Sequence, residues 1–74
     1  MENTPEANLI ESRLRNLDMI RVHLSKALGQ SKLGQSKRNI LNSLKVAYIW
    51  AVKENYSGPV NYESLKTWFV SQQN

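Results

Sequence analysis

The stretch IESRLRNLDMIRVHLSKALG (10–29) decides the fold, because its apolar residues recur at helical spacing. Steps of three, four or seven residues separate the members of one stripe, and Ile20 and Ala27 flank that stripe. Its members are Ile10, Leu14, Leu17, Leu24 and Leu28. This pattern predicts an amphipathic helix that buries the stripe against the rest of the chain.

The first helix is predicted to span residues 5–28. Thr4-Pro5-Glu6 has the order of a helix start, because a hydroxyl cap precedes a proline and then an acid that faces the positive end of the helix dipole. Gly29 is expected to end the helix, since glycine readily takes the left-handed conformation that follows a last turn. At 1.5 Å per residue the helix is roughly 36 Å long, which suits one arm of a helical bundle.

A second helix is predicted over residues 36–56. Ser36 is its expected N-cap, and Tyr56-Ser57-Gly58-Pro59 is expected to stop it. Its apolar residues cover one broad face, which we expect to pack on the first helix. The residues of that face are Ile40, Leu41, Leu44, Ala47, Tyr48, Ala51 and Val52.

The run VAYIWAV (46–52) is apolar all round, so Val46, Ile49 and Trp50 point away from the first helix and need a cover of their own. The same seven residues also fit a buried strand, because a short apolar run does not distinguish the two structures. We favour the helix, since the stripe that precedes the run continues into it and no second strand exists to pair with it.

A third, short helix is predicted over residues 61–72. Asn61 is its expected N-cap, and Val60 and Leu65 have the spacing of a hydrophobic staple. Its apolar face would cover Val46, Ile49 and Trp50. The sequence therefore predicts one all-α domain over 1–74, in which a long helical hairpin carries a short C-terminal helix and residues 1–4 and 73–74 fray.

Length and composition exclude several classes of protein. A chain of 74 residues has room for one core only, and with no cysteine it has no disulfide to support that core, so self-association is expected. The same absence of cysteine favours a reducing compartment, and we expect a cytoplasmic protein. The longest apolar run has seven residues, against roughly 20 for a membrane-spanning helix, and the N-terminus lacks the pattern of a signal peptide.

Positive charge is concentrated in one part of the chain. The formal net charge is +4, yet eight cations and a single acid, Asp18, lie between Arg13 and Lys45, which gives this block a net charge of +7. Such a block attracts phosphate or an acidic surface. A membrane surface suits it less well, since the cations of the first helix do not share one face.

Phosphate contacts are expected near the turn between the first two helices. Lys37 and Arg38 lie in the first turn of the second helix, where the helix dipole disfavours positive charge and free N–H groups can bind an anion. The predicted phosphate-binding residues are Lys26, Lys32, Ser36, Lys37, Arg38 and Lys45. All six aromatic residues lie at or beyond Tyr48, apart from most of the cations, so contact with a duplex backbone is expected rather than stacking on bases.

Catalysis is not expected, and neither a cofactor nor a metal is predicted. His23 is the only histidine, and Asp18 lies five residues before it, on a different side of the first helix. Glu11 and Arg15 have the spacing of an ordinary surface ion pair. The loop GQSKLGQS (29–36) has the glycine spacing of a nucleotide-binding loop, but Gln35 stands where the phosphate-binding lysine is required.

The sequence thus favours a small, basic, non-enzymatic regulatory or accessory protein that contacts nucleic acid, or the machinery bound to it, through the 13–45 block. The alternative is a protein interaction module that acts as a homodimer or binds a partner helix. Its expected interface consists of Met19, Val22, Ile49 and Trp50, because Met19 and Val22 lie opposite the predicted core stripe and the other two need a cover.

Overall fold

A computed structural model describes the backbone of residues 5–73 and the side chains of residues 8–73. It contains three helices, α1 (Pro5–Lys32), α2 (Lys37–Val52) and α3 (Tyr62–Gln72), and no strand in the part described. The predicted all-α fold, a long hairpin with a short C-terminal helix, is confirmed, and residues 46–52 are helical. The expected N-cap Thr4 lies outside the described residues.

The first helix ends four residues later than predicted. Gly29 lies inside α1, and the chain leaves the helix at Gly34, whose φ of 71° is left-handed. The N–H of Gln35 donates to the carbonyl of Gln30 at 3.0 Å, and the N–H of Gly34 donates to that of Ser31 at 3.1 Å. This pair of bonds is a Schellman motif. Gly29 is tolerated within the helix, whereas Gly34 takes the conformation that the turn requires.

The second helix begins as predicted and ends four residues earlier than predicted. The Ser36 side chain caps it by accepting a bond from the N–H of Asn39 at 3.3 Å. At its other end Asn55 has a φ of 70°, and the N–H of Tyr56 bonds the carbonyl of Ala51 at 3.1 Å. Asparagine tolerates the left-handed region, so Asn55 reverses the chain three residues before Gly58.

Gly58 serves a different purpose from the predicted one. A Cβ atom at this position would lie 2.5 Å from the hydroxyl and 2.7 Å from the Cζ of Tyr56, so only glycine lets the chain pass this ring. The Tyr56 hydroxyl donates a 2.5 Å hydrogen bond to the carbonyl of Pro59, and the ring is buried. The connection between α2 and α3 is thus folded around one buried tyrosine.

The third helix has the predicted start. The Asn61 side chain accepts a bond from the N–H of Ser64 at 2.8 Å. Leu65 is completely buried, and Val60 packs against the same core, as a hydrophobic staple requires.

All three helices contribute to one core. Its buried apolar members are Ile20, Leu24, Ala27, Leu44, Ala47, Ala51, Tyr56, Leu65 and Phe69. The core face of α1 is therefore rotated from the predicted stripe, because Ile10 and Leu14 are 58% and 61% exposed. Since α1 has 28 residues and α2 has 16, roughly 18 Å of α1 extends beyond the length of its neighbour. The N-terminal part of the predicted stripe has little to pack against.

A polar network ties the helices together at the end of the hairpin away from its turn. The Glu54 carboxylate accepts a bond from Arg13 at 3.0 Å on one oxygen and from the buried Asn16 at 2.9 Å on the other. Arg13 also donates to the side-chain oxygen of Gln72 at 3.2 Å. Because Glu54 is itself largely buried, these bonds compensate a charge that would otherwise be costly to bury.

Helix α3 lies on one side of the α1–α2 hairpin, which we call the covered face. Its start lies beside Ala27 and Leu28, and its end lies beside Leu14 and Leu17, so α3 runs antiparallel to α1. Aromatic residues line its contact with the hairpin, since the Tyr56 ring meets Tyr48 and Trp68 edge to face at centroid distances of 6.0 and 5.3 Å.

The expected cover of Val46, Ile49 and Trp50 by the third helix is wrong. Ile49 is 57% exposed, and Val46 and Trp50 line recesses on the opposite side of the hairpin, which we call the free face. The connection after α2 folds toward the Tyr48 side, because Tyr56 is buried there. In the described part of the chain, no helix has both the length and the apolar character needed to cross a membrane.

Candidate functional site

A groove of about 260 Å³ runs between α1 and α2 on the free face. Lys26 is the predicted phosphate-binding residue that lines it. On both helices the residues that line the groove recur at steps of three and then four, so each helix presents one row of side chains to the groove. The lining residues are His23, Lys26 and Gln30 of α1, and Asn39, Asn42, Ser43 and Val46 of α2.

The groove is rich in hydrogen-bond donors. Lys26 contributes an ammonium group, and Asn39 and Asn42 contribute carboxamides. The hydroxyl of Ser43 donates to the side-chain oxygen of Gln30 at 2.7 Å, so the amide nitrogen of Gln30 is the part of that group able to donate. No acidic residue belongs to the lining. Such a surface suits an anionic ligand with acceptor oxygens.

The other predicted phosphate-binding residues do not belong to the lining of the groove. Lys32, Lys37 and Arg38 are exposed at the ends of α1 and α2 that the turn joins, which is the end of the hairpin where the groove lies. Ser36 is exposed too, but its oxygen already caps α2. Lys45 is exposed and does not belong to the lining of the groove.

Two cations of the 13–45 block are compensated by acids. Arg13 pairs with Glu54 at 3.0 Å, and Arg21 pairs with Asp18 at 2.9 Å. The predicted pair of Glu11 with Arg15 is not formed among the described residues. Between residues 22 and 48 the sequence holds five cations and no acid, so the half of the hairpin that contains the turn keeps a positive charge.

A second opening of about 640 Å³ lies on the free face toward the other end of the hairpin, and we call it the Trp50 recess. Its lining residues are Leu9, Ser12, Arg13, Arg15, Asn16, Trp50, Lys53, Glu54 and Asn55. The Lys53 ammonium lies 4.5 Å from the centre of the Trp50 ring. Trp50 thus shares this recess with the cations Arg13, Arg15 and Lys53.

The predicted protein-interface residues differ in direction and in exposure. Trp50 is half-buried in its recess, and Ile49 projects roughly 100° away around α2 with 57% of its side chain exposed. Met19 is half-buried and Val22 is 41% exposed. Other apolar residues are more exposed, namely Leu33 in the turn after α1 at 78%, and Leu9 and Leu14 at the start of α1 at 70% and 61%.

Of the residues that line the groove, the sequence predicted only Lys26 as a binding residue. It carried no prediction for Asn39 and Asn42, and it did not connect Arg15 and Lys53 with Trp50. The spacing of Asn39, Asn42 and Val46 repeats that of His23, Lys26 and Gln30, so each set lies along one face of its helix. His23 lies beside Lys26 in the groove, and the described residues hold no group of three or more side chains able to bind a metal.

Comparisons with models of protein families, with curated proteins and with solved structures find no match to this chain.

Proposed function

We propose that this chain is a small, non-enzymatic accessory protein that contacts the backbone of nucleic acid through the free face of its helical hairpin. The observation that carries the proposal is the donor-rich groove between α1 and α2. Its lining brings Lys26 together with Asn39 and Asn42, and it includes no acid.

Charge in the half of the hairpin with the turn supports the same proposal. Lys32, Lys37 and Arg38 are exposed there, and the nearest acids along the chain are Asp18 and Glu54. Both of those acids are paired with arginines. A surface of this kind attracts phosphates over several ångströms, and the short carboxamides of the groove can add hydrogen bonds to phosphate or sugar oxygens. Such contacts position a protein on nucleic acid with little selectivity for sequence.

Fluorescence anisotropy with a labelled 20-base-pair duplex tests the proposal. The logarithm of the affinity should fall linearly with the logarithm of the salt concentration, with a slope of about 0.9 per phosphate contact. Lys26→Ala should weaken binding and reduce that slope by about one unit, and Lys37→Ala and Arg38→Ala should each do the same. Lys66→Ala is the matched control, because Lys66 is an exposed lysine of α3 and should leave the slope unchanged.

Two results would contradict the proposal. One is undetectable binding of the duplex at low salt. The other is an equal loss of affinity in Lys26→Ala and Lys66→Ala, since that result would mean that net charge alone, and not the free face, determines binding.

Self-association is a second candidate function, and one observation favours it. Leu9, Ile10 and Leu14 are each more than half exposed on the part of α1 that extends beyond α2. A helical extension this short is only marginally stable in water by itself, so cover from a second copy of the chain would stabilise it. A dimer through this part of α1 would leave the free face at the turn accessible.

Sedimentation equilibrium distinguishes this candidate from the first. Leu14→Glu should convert a dimer into a folded monomer, whereas Val70→Glu, at an exposed apolar position of α3, should not. A wild-type chain that remains monomeric at high concentration would exclude self-association. That result would not contradict the proposed binding of nucleic acid.

A further inference from the structure

The Trp50 recess has a net positive charge that nothing in the described structure compensates. Glu54 is the only acid in its lining, and both carboxylate oxygens of Glu54 accept hydrogen bonds, one from Arg13 and one from Asn16. Within the part of the chain that the structure describes, neither Arg15 nor Lys53 forms an ion pair. These two cations therefore line the same recess as Trp50, and no acid compensates either of them there.

The Trp50 ring is arranged to receive a flat partner. One position over the ring is taken by the ammonium of Lys53, at 4.5 Å, and Lys53 is an exposed residue with a long, flexible stem. A nucleobase can replace this ammonium over the ring, and Lys53 can then turn to a phosphate beside it. An aromatic ring in a positively charged recess is an arrangement by which proteins hold single strands.

The recess also lies in line with the groove described above. Both open on the free face, and at 1.5 Å per residue Arg15 and Lys26 are about 16 Å apart along α1. A strand that contacts the groove through its phosphates therefore continues naturally to the recess. A base inside a duplex is stacked on its neighbours and cannot lie on Trp50 without leaving the stack.

We infer that the Trp50 recess binds an unpaired nucleotide, with its base on the Trp50 ring and its flanking phosphates held by Arg15 and Lys53. The inference rests on the proposed function and deepens it, because it assigns a preference for single-stranded over double-stranded nucleic acid. Stacking on one aromatic side chain contributes roughly 5- to 150-fold in affinity, which is the effect to look for.

The test compares two probes with the same number of phosphates, a 12-nucleotide oligothymidylate and an abasic oligonucleotide of equal length. The full chain should bind the oligothymidylate roughly 5- to 150-fold more tightly than the abasic strand. In a Trp68→Phe background Trp50 is the only tryptophan, and its fluorescence should be quenched by the oligothymidylate and not by the abasic strand. Trp50→Leu should bind both probes with the affinity that the wild-type chain has for the abasic strand.

The outcomes separate this inference from the proposed function. Equal affinity of the wild-type chain for both probes, or unchanged oligothymidylate binding by Trp50→Leu, would overturn the stacking site and leave the backbone contacts standing. Failure to bind either probe or the duplex would overturn both. Because Trp50 also packs against the core, circular dichroism must show that Trp50→Leu folds. If it does not fold, the quenching of Trp50 in the Trp68→Phe chain decides the question.

Discussion

The covered and free faces of the hairpin differ in what their side chains do. On the covered face Leu65 and Phe69 of α3 are buried against the hairpin, and the hydroxyl of Tyr56 bonds a backbone carbonyl. On the free face Lys26, Asn42 and Val46 line an open groove. The comparison separates two properties of the molecule, because the covered face holds buried core residues and the free face is the surface that we propose for binding.

The largest expected difference concerns core packing. Leu65→Ala should lower the free energy of unfolding by about 2–5 kcal/mol, because Leu65 is completely buried and its truncation leaves a cavity. Val46→Ala on the free face should cost less than about 1 kcal/mol, since Val46 is only half-buried and water can fill the space. Urea unfolding followed by circular dichroism measures both. Similar losses in the two variants would mean that the free face is part of the core.

The next effect concerns the connection that carries α3 to the covered face. Gly58→Ala should destabilise the chain by about 1–3 kcal/mol, because the added Cβ collides with the Tyr56 ring. Gly29→Ala should instead stabilise it by about 0.5–1 kcal/mol, since no atom lies within 4 Å of that Cβ and Gly29 is inside α1. Thermal melts of the two variants should therefore shift in opposite directions. A stabilised Gly58→Ala chain would show that Tyr56 is not packed on this turn.

The smallest effect concerns the titration of Tyr56. Burial raises the pKa of Tyr56; a hydrogen bond with Ser64 lowers this pKa, and the nearby Tyr48 raises it further. The unfolded chain therefore loses its tyrosine proton at lower pH than the folded chain does. The stability that the protonated hydroxyl provides is intact below pH 10 and is lost as the pH rises above that value.

Tyr56→Phe tests this assignment. The variant should be less stable by about 1 kcal/mol at neutral pH, because the bond to the Pro59 carbonyl is lost, and its stability should fall less steeply above pH 10. Urea unfolding at pH 7, 9 and 10.5 gives the pH dependence of the free energy of unfolding for the wild-type chain and for the variant. Tyr62→Phe, at a half-buried residue of α3, controls for the other tyrosines. Parallel pH profiles in the wild-type chain and in Tyr56→Phe would contradict the role assigned to this hydroxyl.

The sequence predicted the helices and the N-caps of α2 and α3 for local reasons. A polar side chain that precedes an apolar repeat satisfies free N–H groups wherever the helix lies, so Ser36 and Asn61 were identifiable without tertiary structure. The C-terminal ends of the first two helices were not identifiable in this way. Gly29 and Gly58 were expected to end the first two helices, because glycine can take a left-handed conformation. The residues that take this conformation are Gly34 and Asn55, because the packing of the residues that follow decides where each helix ends.

The position of α3 and the composition of the site depend on contacts that no local pattern encodes. The apolar run 46–52 showed that α2 needs partners on several sides, but not that Tyr56 would draw the connection to the side of Tyr48. The charge of the 13–45 block was readable from the sequence. The neutralisation of Arg13 was not readable from the sequence, because its partner Glu54 lies 41 residues away along the chain.

Nuclear magnetic resonance can map nucleic-acid contacts onto the two faces directly. Titration of the ¹⁵N-labelled chain with a short duplex should shift the side-chain amide signals of Gln30, Asn39 and Asn42 and the backbone signal of Lys26. The signals of Lys66 and Ser71, exposed residues of α3, should stay in place. Shifts that cluster on α3, or spectra that do not change at low salt, would contradict the central claim that the free face is the binding surface.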